Sequence, residues 1–208
     1  MKKAIISLGL ILLVTSCELK VNTKPTEKEN KEMKQNIPFP LETKFTKEYL
    51  VANFWKCNYS TAGEGFAYWV ILPNNVKPTK LEPELMKEVG LTNIGIYNTI
   101  DKSAYIEVWV AYETITTPTQ PMDWLTHKIK ITGETILHQN IINTTSGNKY
   151  LDVLTSKTIA NGENVISRFT VLKSSSNYFI IKATCNEKDY ISLSETLLHI
   201  VSTWGLKK

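Results

Sequence analysis

Apolar and polar residues are arranged in short runs from about Phe45 to the end of the chain, as is typical of a folded domain built around a sheet. Residues 105–112 alternate with a period of two, and both faces of the segment are apolar or amphipathic. This pattern predicts a central strand that is covered on both sides. Residues 65–72 are mainly apolar and are followed by Pro73 and two asparagines, which predicts a buried strand closed by a turn.

A helix is predicted at residues 121–131, between two strand regions. Pro121 suits the first turn of a helix, and the carboxylate of Asp123 complements the partial positive charge at the helix N-terminus. Leu125 and Ile129 recur at helical spacing, so we expect them on the buried face of this helix.

Four further strands are predicted after this helix, at residues 136–142, 149–156, 165–172 and 178–185. The dipeptide Asn161-Gly162 is a hairpin signal between the second and the third of these strands. Because short connections join antiparallel neighbours, the sequence predicts an antiparallel meander.

The chain is predicted to end on an amphipathic helix that packs against the sheet. Asp189 suits the N-cap of this helix, Tyr190 and Trp204 lie on one helical stripe, and Gly205 suits the stop. Residues 77–99, in contrast, are poorly patterned and predict no definite element.

Several of these segments together carry a family resemblance. They are residues 65–73, 122–131, 149–155 (KYLDVLT), the Asn161-Gly162 turn, 169–172 (FTVL), 178–184 (YFIIKAT) and the closing helix that ends at Trp204. In this order they resemble the PsbP-like domain, a family that includes the extrinsic photosystem II protein and bacterial lipoproteins of the DcrB type. The resemblance implies an α+β fold, an α/β/α sandwich with a central antiparallel sheet and a C-terminal amphipathic helix. It also implies a role in binding or assembly, without naming a partner.

The composition narrows the class of protein. The 208 residues are 42% hydrophobic, which excludes disorder of the whole chain. Lysine and arginine together number 24, and only Arg168 is an arginine. The forked guanidinium that recognises phosphates and base edges is therefore almost absent, which argues against a nucleic-acid-binding protein. Without Lys2 and Lys3, 22 basic residues stand against 20 acidic ones, so the chain without its leader is nearly neutral.

The first 17 residues predict export. Two lysines precede an apolar run from Ala4 to Val14, which is shorter than the roughly 20 residues of a transmembrane helix. The tetrapeptide Val14-Thr15-Ser16-Cys17 resembles the lipobox of bacterial lipoproteins. This resemblance implies cleavage before Cys17 and a lipid on its sulfur, which anchors the protein to a membrane. The alternative is an ordinary secretory leader in which Cys17 lies near the cleavage site by chance.

The predicted organisation is a signal peptide at residues 1–16, a lipidated Cys17 with a flexible polar tether at residues 17–44, and a globular domain at residues 45–208. The tether is rich in Lys, Glu, Asn, Thr and Pro, and its scattered apolar residues form no periodic face. By analogy with enterobacterial sorting, Glu18 favours the outer membrane, with the domain facing the periplasm. A location at the cell surface and a Gram-positive source organism stay open as alternatives.

The sequence contains no recognisable catalytic or metal-binding motif. His127, His138 and His199 have no partners at ligand spacing, so no metal or cofactor is expected, and His127 and His199 are expected on helix surfaces. No nucleophile elbow or phosphate-binding glycine loop occurs, so we do not expect an enzyme. Three carboxylates face either a groove, as candidates for acid–base chemistry, or solvent: Asp101, Glu107 and Glu113.

The aromatic content suggests binding. The chain has five tryptophans and nine tyrosines; Trp69, Trp109 and Trp204 are expected to fill the core, whereas Trp55 and Tyr59 are candidates for an interface. The leading hypothesis is a lipid-anchored, non-catalytic module that docks on a protein partner in the cell envelope, such as a secretion or other membrane-associated complex. The alternative is capture of a small molecule in an aromatic-lined pocket between sheet and helix. A hydrolase ranks third.

Cys57 and Cys185 are the only other thiols once Cys17 is lipidated. An oxidising compartment therefore favours a disulfide between them. The alternative is two separate thiols, because Cys185 shares a strand face with the apolar Phe179 and Ile181. A disulfide needs Cα atoms about 4.4–6.8 Å apart, so the fold decides between the two.

Overall fold

The structure is a computed structural model that describes residues 37–60, 66–82, 87–88, 90–117, 119–143 and 149–207. The predicted signal peptide, Cys17 and the tether as far as residue 36 lie outside the described residues. The described part forms an α+β domain with three α-helices and eleven strands. Within it, no helix is both long and apolar enough to span a bilayer.

The helices are α1 (Lys47–Asn53), α2 (Pro121–Thr132) and α3 (Tyr190–Ser202), and a short 3-10 turn at Glu187–Asp189 leads into α3. The strands are β1 (Phe54–Ser60), β2 (Ala67–Pro73), β3 (Val76–Thr79), β4 (Lys87–Glu88), β5 (Leu91–Thr99), β6 (Ile106–Thr114), β7 (Thr135–Asn143), β8 (Lys149–Thr158), β9 (Asn164–Ser174), β10 (Asn177–Asn186) and β11 (Trp204–Leu206).

Two antiparallel sheets organise the domain. The large sheet has eight strands in the order β3-β5-β6-β10-β9-β8-β7, with β4 also paired to β5. The small sheet has the order β1-β2-β11. One face of the large sheet packs on α3 and the small sheet, and the opposite face packs on α2. The predicted α/β/α sandwich with a central antiparallel sheet is confirmed.

Strand β6 shows how the residue pattern produces these layers. Val108 and Val110 are fully buried in the core shared with α3 and the small sheet. The next residue, Ala111, belongs to the second core, which contains Leu125 and Ile129 of α2. Side chains of a strand alternate between its two faces, so β6 contributes to both cores, as its period of two predicts.

The end of the chain differs from the prediction. Helix α3 stops at Ser202, and Gly205 lies within β11, which pairs with β2. Gly205 is opposite Trp69, and a Cβ at this position would lie 3.2 Å from the Trp69 indole nitrogen. The glycine is therefore explained by close packing on an aromatic ring. Asp189 does occupy the N-cap position, although its side chain makes no capping hydrogen bond.

The poorly patterned stretch at residues 77–99 contains most of β3, all of β4 and all of β5. A bulge between Asn93 and Gly95 breaks the alternation in β5, and five consecutive residues from Asn93 to Tyr97 are buried. A Cβ on Gly95 would lie 2.0 Å from the Tyr68 hydroxyl, so only glycine fits there. The missing period explains why the sequence predicts no strand at this place.

The folded domain begins at Ile37, and not at the predicted Phe45. We call residues 37–40 the strap. The Pro38 carbonyl accepts a hydrogen bond of 2.6 Å from the Tyr190 hydroxyl. The Pro40 carbonyl accepts one of 2.8 Å from the Arg168 guanidinium. The last part of the predicted tether is therefore part of the domain.

Candidate functional site

A cavity of about 270 Å³ lies between α2 and the large sheet, and we call it the α2 cavity. Helix α2 is amphipathic and places Leu125 and Ile129 towards the sheet, where they line the cavity. Further apolar lining comes from the sheet: Leu91, Ala111, Phe169 and Ile180. A concave, mainly apolar space with a few polar groups is the usual form of a small-molecule site.

A cross-strand row forms part of the cavity wall. Lys182 on β10 lies directly between Phe169 on β9 and Trp109 on β6, and all three line the cavity. Directly opposed residues of antiparallel strands share a face, so these side chains stand next to one another. Trp109 is half-buried, in part because the cavity leaves its side chain partly uncovered.

A first ion pair is located at one side of the cavity. The ammonium of Lys128 lies 2.8 Å from the Glu113 carboxylate, and the indole N–H of Trp124 donates to the same carboxylate at 2.5 Å. Gly90 adopts a left-handed φ of 80° beside this pair, and a Cβ there would lie 2.9 Å from Lys128 Nζ. The site therefore combines a nearly buried lysine with a carboxylate that is already engaged.

A second ion pair joins Lys182 to Glu134, just after the end of α2. The distance from Lys182 Nζ to Glu134 Oε1 is 2.8 Å, and the Glu134 side chain is 2% exposed. The Thr155 hydroxyl donates to Glu134 Oε2 at 2.5 Å. The ammonium of Lys182 also lies 5.1 Å from the ring centroid of Phe169. In this position the ammonium of Lys182 contacts both the Glu134 carboxylate and the face of Phe169.

Glu107 is the third carboxylate near the cavity, and it also lines the wall. It accepts a hydrogen bond of 2.9 Å from the Tyr105 hydroxyl. Burial and the negative charge of Glu107 raise the pKa of Tyr105, so this hydroxyl stays a neutral donor at physiological pH. Among the described residues no lysine or arginine forms an ion pair with Glu107.

The structure brings together two of the three carboxylates that the sequence singles out. Glu107 lines the cavity and Glu113 binds Lys128 at its side. Asp101 lies in an exposed loop, where hydrogen bonds from the Ser103 side chain and backbone lower its pKa. The ranges that the structure describes contain no group of three or more His, Cys, Asp or Glu side chains that could hold a metal.

Trp55 and Tyr59, the predicted interface residues, have different environments. Trp55 is half-buried, and its indole N–H points to the carbonyls of Pro73 and Val76, each at 3.1 Å. These hydrogen bonds hold β1 to the turn after β2, and a role of Trp55 in an interface stays a prediction. Tyr59 is 38% exposed and stacks on Tyr68, with ring centroids 5.1 Å apart. Its role in an interface stays a prediction.

Both described cysteines are free thiols, so the structure does not contain the predicted disulfide. Cys57 lies in the small sheet, with its sulfur 3.9 Å from the Tyr97 hydroxyl. Cys185 lies in the large sheet, opposite Ile106 and Ile166, and burial raises the pKa of its thiol to about 12. The two cysteines belong to different sheets, and each packs as a small buried residue.

Two of the three tryptophans expected in the core are only half-buried. Trp204 is buried, whereas Trp69 lies on the outer face of the small sheet and Trp109 lines the α2 cavity. Strand alternation alone cannot show that α2 leaves part of its sheet face uncovered. Trp109 lies opposite Lys182 on this face. A tryptophan paired with a lysine in this way was the sequence feature that could have indicated the cavity.

The histidines differ from expectation in one case. His127 is exposed on α2, as predicted. His199 is 6% exposed on α3 and packs edge-on against Phe54, with Phe45 nearby at 6.1 Å between ring centroids. Burial lowers the pKa of His199, so the imidazole is neutral in the folded protein at neutral pH. The prediction of a helix-surface position for His199 is wrong because the rings of Phe45 and Phe54 pack against this face.

A second concavity of about 240 Å³ lies beside α1, and we call it the α1 groove. Its lining includes Tyr49 of α1, Asn74 in the turn after β2, and Leu193 of α3. Exposed apolar side chains occur on the elements that form it: Val51 on α1, Ile100 after β5 and Ile191 on α3. Tyr49 itself is 45% exposed, and an exposed aromatic side chain in a groove is typical of protein-docking surfaces.

Solved structures of other proteins show similarity to this domain. The cyanobacterial PsbP protein CyanoP from Synechocystis sp. PCC 6803 superposes with a TM-score of 0.52 at 9% identity, over 75% of this chain and 94% of the other. LpqN, described as involved in cell envelope biogenesis of Mycobacterium tuberculosis, gives a TM-score of 0.48 at 11% identity, over 79% and 98%. No protein-family model and no curated protein matches the chain. At this identity the likeness to CyanoP shows the fold alone, and the domain has a PsbP-like fold.

Proposed function

We propose that the protein is a non-catalytic binding module of the cell envelope, anchored by lipid on Cys17, and that it binds a small molecule in the α2 cavity. The observation that carries this proposal is an apolar cavity whose lysines are already engaged by carboxylates. Catalytic groups are usually poised to exchange protons or attack a substrate, whereas these side chains are fixed in ion pairs. The arrangement therefore supports recognition, and the predicted pocket between sheet and helix is the binding site.

The volume of the α2 cavity, about 270 Å³, limits the ligand to a small one. Pockets for drug-sized ligands range from roughly 300 to 1,000 Å³. The cavity is lined by Ala111, which belongs to neither ion pair. The larger side chain of an Ala111→Leu variant is therefore expected to fill part of the cavity. Ala160→Leu, at an exposed position, is the matched control.

Native mass spectrometry of the protein released from its own cells tests this function. We expect an added mass on the parent and on the Ala160→Leu control, and its loss from Ala111→Leu. Circular dichroism establishes that both variants are folded. A parent protein that carries no added mass and is not stabilised by any molecule in a metabolite library, judged by its thermal unfolding, contradicts a small-molecule role.

The anchor is tested separately by replacing Cys17 with serine. A lipid on Cys17 contributes about 0.8 kcal/mol per buried methylene, so the parent is expected in the membrane fraction and in palmitate labelling. The Cys17→Ser variant is expected to lose the label. Labelling that persists in this variant, or an unlabelled parent, contradicts the proposed anchor.

The second candidate function is docking on a protein partner of the envelope, such as a membrane-associated assembly, and the α1 groove favours it. Tyr49, which lines this groove, is 45% exposed. Crosslinking in intact cells is expected to recover one stoichiometric partner, and Tyr49→Asp with Thr196→Asp, both in the groove lining, is expected to abolish that recovery. The double change Lys157→Asp with Lys173→Asp, at positions away from the groove, is the control. Recovery that resists the groove substitutions contradicts this assignment.

A further inference from the structure

We propose that the α2 cavity binds an amphipathic organic cation, with its ammonium group held between the Glu107 carboxylate and the face of the Trp109 ring. This inference rests on the proposed binding function and names the ligand class of the same cavity. The apolar part of the ligand lies under α2, against Leu125, Ile129 and Phe169, which line the space.

The charges around the cavity leave an excess of one negative charge. Lys128 is neutralised by Glu113, and Lys182 is neutralised by Glu134, with a shortest N–O distance of 2.8 Å in each pair. Glu107 lines the same cavity and has no cation partner in the described part of the chain. A ligand with a single positive charge is therefore electrostatically complementary to this wall.

Glu107 has acceptor capacity left for such a ligand. Its Oε2 accepts the Tyr105 hydroxyl, and its Oε1 accepts from no described donor. An ionised carboxylate offers about four lone-pair sites, so one neutral hydrogen bond leaves room for an ammonium. The side chain is half-buried, which strengthens a charged hydrogen bond relative to one in open water.

Trp109 supplies the second contact because no lysine or arginine of the described residues lies over its ring. Six other aromatic rings of the described residues have a lysine or arginine over their face: Phe39, Trp55, Trp69, Trp124, Phe169 and Tyr178. Lys182 is the cross-strand neighbour of Trp109, but its ammonium is paired with Glu134 and lies over Phe169. Tryptophan is the aromatic side chain that attracts cations most strongly.

The spacing of the two groups suits one shared cation. Glu107 and Trp109 are two residues apart on β6, so they lie on one face and about 7 Å apart along the strand. A cation binds an aromatic face within about 6 Å of the ring centroid, so an ammonium between them reaches both.

Three probes with the same apolar chain test the proposal: hexylammonium, 1-hexanol and hexanoate. Each is titrated into the purified protein by calorimetry and by ¹⁵N NMR. We expect hexylammonium to bind about tenfold more tightly than either other probe, as a charged hydrogen bond warrants. Glu107→Gln and Trp109→Leu are each expected to weaken hexylammonium binding by about tenfold and to leave 1-hexanol binding within about threefold. The control Glu163→Gln, at an exposed turn, leaves all three affinities unchanged.

The possible outcomes distinguish the cation assignment from the small-molecule function on which it rests. Equal binding of hexylammonium and 1-hexanol establishes a cavity site and overturns the cation assignment. Tightest binding of hexanoate also overturns it, because Lys128 and Lys182 are then the groups that face the ligand. Absence of binding by all three probes up to millimolar concentration overturns both the cation assignment and the small-molecule function. NMR spectra of Glu107→Gln that retain the parent's dispersion exclude misfolding as the cause of weaker binding.

Discussion

Arg168 and Asp152 form an ion pair that is entirely buried, with both side chains 0% exposed. The guanidinium donates through Nε and Nη2 to the two carboxylate oxygens, at 2.9 and 2.6 Å. The pair is bidentate, and the same Nη2 also donates to the Pro40 carbonyl of the strap. The one arginine of the chain therefore makes its ion pair and hydrogen bonds in the interior of the domain.

Removing one partner of this pair is expected to be costly, because the other charge stays buried and unpaired. Asp152→Leu is expected to lower the free energy of unfolding by about 3–5 kcal/mol. The double variant Asp152→Leu with Arg168→Met buries no charge, and we expect it to lose less than the single variant. Urea denaturation measures both values. Equal losses in the single and double variants contradict the explanation by unpaired charge.

The strap is expected to contribute stability through Phe39. Its ring stacks on His138 at 5.3 Å between centroids, and the Arg168 guanidinium carbon lies 4.4 Å from the ring centroid. Phe39→Ala removes both contacts and is expected to lower the free energy of unfolding by about 2 kcal/mol. Leu41→Ala, at an exposed position, is the control and is expected to stay within about 0.5 kcal/mol of the parent. Similar denaturation midpoints for all three proteins show that the strap does not stabilise the domain.

His199 is expected to make the domain less stable in mild acid. Its pKa is lowered by burial, so the unfolded chain takes up a proton below the ordinary value of 6.5 while the folded protein does not. The contribution of His199 to stability is therefore complete above pH 6.5 and falls as the pH drops towards the folded-state pKa. We expect His199→Leu to remove this part of the pH dependence of thermal unfolding. The exposed His127→Leu variant is expected to retain it, and identical pH profiles for the two variants contradict the assignment.

The two buried cysteines are expected to behave as unreactive thiols. Cys185 has a raised pKa, and Cys57 is 8% exposed, so neither presents an accessible thiolate. Alkylation with iodoacetamide and no reductant is expected to modify neither residue in the folded protein and both in denaturant. Peptide mapping by mass spectrometry assigns the sites. A linked Cys57–Cys185 peptide in the unreduced digest contradicts the free thiols.

The sequence predicts the meander and the helix before it because local patterns determine them. Strands β7 to β10 and helix α2 are bounded by turn and capping residues, which neighbouring positions reveal. Strand β5 is not predicted, because the bulge at Gly95 accommodates Tyr68, which lies far away in sequence. Such a contact leaves no local period.

The cavity is only partly visible in the sequence for a similar reason. Glu107 and Glu113 stand out as carboxylates on a strand, whereas their environment depends on distant partners. The pair of Lys182 and Glu134 joins residues 48 positions apart, and Arg168 meets the Pro40 carbonyl across 128 positions. Pairings of this length follow from the strand order and have no local signature.

The position of the strap at the start of the domain has a mechanical consequence. Any pull on the chain before Ile37 reaches the Pro38 and Pro40 hydrogen bonds before it reaches a strand of either sheet. Tension along the predicted tether would therefore strip the strap first and expose the buried charge of Arg168 to water. The strap would therefore open before either sheet, at the point where the domain follows the proposed anchor and tether.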